Sequence, residues 1–94
     1  MEIGEFQRII KDLYYFRDKK RGVEKTLLWL VEEVGELAEA IRKNKNVGEE
    51  IADIIAWTVS IANLYDIDVE RELIKKYPAY CLKCGKSPCE CKED

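Results

Sequence analysis

Residues 23–43 read VEKTLLWLVEEVGELAEAIRK, and the spacing of their apolar residues decides the fold. At about 100° per residue, Leu27, Leu30, Val34, Leu37 and Ile41 fall on one face of a helix. Leu28, Val31, Gly35 and Ala38 widen that face toward a second surface. Between the two apolar limits runs a narrow stripe of Trp29, Glu33, Glu36 and Ala40, while Glu32 and Glu39 point further outward. A helix that is apolar around so much of its circumference must be covered on more than one side.

Outward from this segment, the same period predicts three more helices. The first spans about Ile3–Lys19, with Phe6, Ile9, Ile10, Leu13 and Phe16 on one face, and Gly22 separates it from the second. The loop Asn44-Lys45-Asn46 leads to a third helix over about Gly48–Tyr65. Asp68 reads as the N-cap of a short fourth that Pro78 ends. Strand-like alternation is missing throughout. The fold class is therefore all-α: an antiparallel bundle of about four helices, completed by oligomerisation. Residues 1–77 form the helical domain and residues 78–94 a small Cys-rich tail.

Composition agrees. The 94 residues are 47% hydrophobic and 37% charged with five Gly and two Pro, which suits one compact helical domain near the lower size limit for a core. A net charge of -3 leaves no broad basic surface for nucleic acid. The apolar run from Ile51 to Tyr65 is broken by Asp53 and falls short of the roughly 20 residues a membrane span needs. The acidic, mixed N-terminus is unlike a signal peptide, so a cytoplasmic location is expected.

Two acidic clusters carry the chemistry: Glu32-Glu33-x-x-Glu36 and Glu50-x-x-Asp53. In each, an i,i+3 pair stands side by side on one helix face, and Glu50 shares its face with Ile54, Trp57, Ile61 and Leu64. Thirteen residues between Glu36 and Glu50 allow the end of one helix, a tight loop and an antiparallel return, so the pairs face each other across a hairpin. Acids gathered on an apolar face repel one another and resist desolvation, and a divalent cation relieves both costs. Oxygen-only ligation by Glu33, Glu36, Glu50 and Asp53 favours Mg²⁺ or Mn²⁺, and a chain without histidine lacks the commonest ligand of catalytic zinc.

These motifs resemble those of the MazG-like, all-α nucleotide pyrophosphohydrolases. The stretch Trp29–Ala40 is similar to that family's signature almost throughout, and Asp53-Ile54-Ile55-Ala56-Trp57 and Ile67-Asp68-Val69-Glu70 resemble its third and fourth helices. The likeness covers roughly Arg17–Tyr77. It implies Mg²⁺-dependent hydrolysis of a nucleoside triphosphate to the monophosphate and pyrophosphate, a nucleotide house-cleaning activity. It also implies that Glu33, Glu36, Glu50 and Asp53 hold the metal and that the chain forms homodimers or homotetramers.

Such a reaction needs charge neutralisation around a polyanionic triphosphate and an activated water. Glu32, beside the cage but angled away from Glu36, is a catalytic candidate to orient or deprotonate that water, or else a surface salt-bridge partner. Arg17, Lys20, Arg21 and Lys25 precede or open the second helix, near the positive end of its dipole, and are substrate-binding candidates for the phosphates. Trp29 lies on the carboxylate stripe and either stacks on the base or fills the core, while Trp57 reads as core. Asn63 either hydrogen-bonds nucleotide or caps a neighbour.

The tail reads C-x-x-C-G-K-S-P-C-x-C. Cys81, Cys84, Cys89 and Cys91 crowd into eleven residues around a Gly/Pro turn, a spacing suited to tetrahedral Zn²⁺ in a structural role. Two disulfides are the alternative, disfavoured in a reducing compartment. Two other functional readings stand beside the main one. One is a relative with a narrower substrate, such as a dUTP or dCTP pyrophosphatase or a phosphoribosyl-ATP pyrophosphohydrolase. The other is a non-catalytic, zinc-bearing interaction module whose acids make interhelix salt bridges.

Overall fold

The computed structural model describes residues 1–92; Glu93 and Asp94, the end of the expected tail, lie outside the described residues. Four helices follow in order: α1 Ile3–Arg21, α2 Val23–Lys43, α3 Val47–Leu64 and α4 Val69–Lys76, with no strand among the described residues. α3 is the hub. It packs along α2 and along α1, whereas α1 and α2 touch each other far less and α4 rests mainly on α1.

Single residues fix the corners. Gly22 joins α1 to α2 at φ +91°, a backbone conformation open to glycine but strained for any side chain. α1 runs two residues beyond the expected end, because Lys19, Lys20 and Arg21 complement the dipole of its last turn and only Gly22 interrupts it. Thr26 then ties the corner down, its hydroxyl donating to the Gly22 carbonyl at 2.8 Å. At the other end of the hairpin, Asn44 and Asn46 both take left-handed conformations (φ 52° and 62°), which Asn tolerates better than most residues. Asp68 caps α4 as expected, accepting from the Arg71 N–H at 3.1 Å.

A lone glutamine fastens the first helix. Gln7 donates to Asn63 Oδ1 on α3 (3.0 Å) and to the Ile67 carbonyl (2.7 Å), and it accepts from the Val69 N–H that opens α4 (3.0 Å). Beside it, the Gly4 N–H donates to Glu70 Oε1 at 3.1 Å.

The core is small. Among the described residues, Ile10, Ala40, Val59 and Ala62 are the buried apolar ones, alongside buried Asp18, Thr26, Ser60 and Asn63. Much of the apolar stripe read from the sequence stays uncovered in the single chain: Leu27, Val34 and Ile41 on α2, and Leu13 and Phe16 on α1, are all exposed. Leu28, Val31, Ile51 and Ile55 extend the uncovered surface over α2 and α3. No helix among the described residues is long and apolar enough to cross a membrane.

Candidate functional site

The α2–α3 hairpin brings the two acidic motifs together. Carboxylate oxygens of Glu33, Glu50 and Asp53 lie within 4.8 Å of one another. Glu33 and Glu50 are half-buried, and each has an Oε2 atom that is shielded from water and has no hydrogen-bond partner. The Glu33 carboxyl is pushed up to about 7, first by burial and then by the charges of Glu36, Asp53 and Glu50. Burial, followed by the Glu36 charge, raises Glu50 as well. Glu36 acts on both Glu33 and Glu50, although it is outside the trio whose oxygens all lie within 4.8 Å of one another. Among the described residues none of the four acids is in an ion pair; the pairs there involve Asp18, Glu39, Glu72 and Glu90 instead.

This donor set fits a hard divalent cation. Two buried, unpartnered carboxylate oxygens and a third acid within reach offer hard oxygen ligands at one place, and burying such atoms is costly without a compensating charge.

A cavity of about 340 Å³ adjoins the cluster, with Asp53 in its wall and Arg17, Asp18, Arg21, Trp29 and Trp57 around it. The two indoles meet edge to face, 5.4 Å apart at 88°. The Arg21 guanidinium lies 4.5 Å from the Trp29 ring and 5.0 Å from the Trp57 ring. Arg21 is held there by Asp18 Oδ1 at 2.8 Å and by the Thr26 hydroxyl at 3.3 Å. Asp18 is only 1% exposed, and its Oδ2 has no partner.

The residues singled out in the sequence divide between this region and others. Arg17, Arg21 and Trp29 share the cavity with Asp53. Lys25 reaches the outer face of Trp29, its Nζ 5.8 Å from the ring. Lys20 is exposed and lines no part of the cavity, and Glu32 is exposed beside the cluster. Asn63 sits elsewhere, its side chain engaged with Gln7 between α1 and α3. Trp57 is half-buried yet also walls the cavity. Asp18 was not legible as a site residue: an acid in the Arg17–Arg21 basic run looks like surface charge until its burial is known.

At the C-terminus Cys81, Cys84, Cys89 and Cys91 bring their sulfur atoms within 4.8 Å of one another, a cluster compatible with zinc. Backbone N–H groups of Cys84 and Lys83 hold the Cys81 thiol down at about 6, whereas the neighbouring Cys89 and Cys81 sulfurs push Cys91 up to about 12.

Comparison with curated proteins gives no match. The family model of the MazG nucleotide pyrophosphohydrolase domain matches residues 21–81, which takes in both acidic motifs, Arg21, Trp29 and Trp57 and stops at the first cysteine. With about two thirds of its length inside that match, the chain belongs to the MazG nucleotide pyrophosphohydrolase family.

Proposed function

We propose that the chain is a Mg²⁺- or Mn²⁺-dependent nucleoside triphosphate pyrophosphohydrolase that releases pyrophosphate and the monophosphate. The observation that carries this reading is the pair of buried, unpartnered oxygens on Glu33 and Glu50, set against Asp53 and bordered by Glu36. Acids that braced helices would have cationic partners, and none reaches these four among the described residues. That weighs against the interaction-module reading.

Glu33, Glu36, Glu50 and Asp53 would hold the cation. Once bound, it would neutralise phosphate charge and polarise the anhydride. The chain's own groups do the rest. Asp53 belongs to both the acidic cluster and the cavity wall, so a nucleotide with its phosphates at the cluster extends naturally into the cavity. Arg17 and Arg21 supply positive charge along that path, and Trp29 and Trp57 offer aromatic surface for the base. The clamp of Asp18 and Thr26 holds Arg21 in one orientation before substrate arrives. Glu32, exposed next to the cluster, orients or deprotonates the attacking water.

The uncovered apolar surface of α2 and α3 supports a homodimer or larger homo-oligomer. The site calls for no nucleic acid or membrane partner, and a cytoplasmic location fits a nucleotide substrate.

The test is a pyrophosphate-release screen over the common and damaged nucleoside triphosphates and phosphoribosyl-ATP, with Mg²⁺, Mn²⁺ or chelator. Metal-dependent release from several triphosphates is expected. Release from dUTP, dCTP or phosphoribosyl-ATP alone would replace the broad reading with the narrower one. No release by folded, metal-replete protein would overturn the enzymatic assignment.

A further inference from the structure

The acidic cluster and its cavity leave the four cysteines without a task, and these lie almost wholly beyond the family match, which ends at residue 81. We propose that Cys81, Cys84, Cys89 and Cys91 bind one Zn²⁺ per chain as a closed tetrahedral site that folds the C-terminal segment. This assignment goes beyond the pyrophosphohydrolase reading and stands whether or not that reading holds.

Sulfur geometry is the first argument. A tetrahedral zinc with Zn–S distances of about 2.3 Å has S···S edges of about 3.8 Å. Cys81 Sγ and Cys91 Sγ are 3.7 Å apart, and all four sulfurs lie within 4.8 Å of one another. A disulfide needs about 2.05 Å, so no pair among the described cysteines is bonded. The same spacing is too tight to enclose a cluster of several irons.

The backbone supplies the second argument. Between the first two cysteines and the last two, the chain makes a tight turn. The Gly85 N–H donates to the Cys81 carbonyl at 2.6 Å, and the Cys81 N–H donates to the Lys86 carbonyl at 3.0 Å. Gly85 sits at φ +73°, which disfavours any residue with a side chain. Two amides then point at sulfur: Glu90 N–H to Cys84 Sγ and Cys91 N–H to Cys89 Sγ, both 3.4 Å. Amide donors stabilise thiolates, the form that ligates zinc. Four thiolates around Zn²⁺ leave two negative charges; Lys83 stands between the first two cysteines as a nearby positive charge, while Lys86 pairs with Glu90 across the turn at 2.7 Å.

The third argument is what the segment lacks. Tyr77, Tyr80 and Leu82 are exposed, and no residue from 77 to 92 is fully buried. Without an apolar core, a cross-link must hold the turn, and metal binding does so in small units of this kind. Cys89 and Cys91 are themselves exposed, a setting better suited to redox-inert zinc than to iron.

The experiment is elemental analysis of full-length protein purified under reducing conditions and desalted in Mg²⁺ buffer. Parallel thiol titration and Co²⁺ exchange complete it. One zinc per chain is expected, with four thiols unreactive until a strong chelator is added. The Co²⁺ form should show thiolate charge-transfer absorption and the intense visible bands of tetrahedral coordination. Cys84→Ser should lower zinc content at least several-fold while far-ultraviolet circular dichroism keeps the helical signal of α1–α4. Four freely reactive thiols without metal, two disulfides by mass, stoichiometric iron, or full zinc retention in Cys84→Ser would each overturn the assignment.

Discussion

Glu33 on α2 and Glu50 on α3 face each other across the hairpin, and each buries a carboxylate oxygen that no donor reaches. Such a pair is unfavourable in the metal-free chain, so its ligand role and its stability role have opposite signs. Glu50→Gln, Glu36→Gln and Asp53→Asn should each lower Mg²⁺-dependent pyrophosphate release by roughly 100-fold or more. In chelator, the same variants should melt at or above the wild-type temperature. Steady-state assays and thermal melts check both halves; near-wild-type activity in all three would remove the metal assignment.

The Glu33 carboxyl also gives the metal-free fold a pH signature. Its value rises from the usual carboxylate range to about 7 on folding, chiefly through burial. The native state therefore holds a proton that the unfolded state has released, and stability falls as pH rises from about 4.5 to about 7. Below that window the group contributes no penalty. Melts of chelated wild-type protein and Glu33→Gln should diverge as pH crosses it, with the variant gaining relative stability. Because Mg²⁺ competes with this proton, metal affinity should strengthen over the same range, which calorimetry at pH 6 and 8 would measure.

Element identity and the facing acids were legible because both follow from helical period. The three-dimensional roles of polar side chains were not. Asn63 gave no sign that it would be spent on Gln7, and Asp18 gave none that it would be buried, since both depend on how α1 packs in the bundle. Likewise, periodicity marked Leu27 and Phe16 as apolar but could not say whether the same chain covers them. Gln7→Ala should strand Asn63 Oδ1, the Ile67 carbonyl and the Val69 N–H together and cost about 1–3 kcal/mol in denaturant unfolding. Its effect on catalysis at a temperature where the variant is folded should stay within a few-fold.

Self-association is expected from the surface of α2. Leu28 and Val31 are 63% and 59% exposed, one turn apart, on a helix whose other face is already packed against α3. Light scattering at micromolar concentration should give a dimer or larger species. Val31→Glu should shift that distribution toward monomer by placing a charge in the apolar contact. A monomeric wild-type protein at those concentrations would refute the expectation.

Truncation separates the tail from the chemistry. The carboxylate cluster and its cavity are built from α1, α2 and α3, and no described residue beyond Ser60 lines either one. α4 meets the bundle mainly through α1, by way of Gly4–Glu70 and Gln7–Val69, contacts that end before the cysteines begin. Removing everything after Tyr77 should therefore leave the helices and most of the Mg²⁺-dependent hydrolysis in place, within a few-fold in kcat/KM. The loss in Tm should be modest, a few degrees at most, because the segment carries no buried apolar residue. Loss of hydrolysis with the helical signal preserved would mean that the cysteine segment reaches an active site, most simply that of a neighbouring subunit.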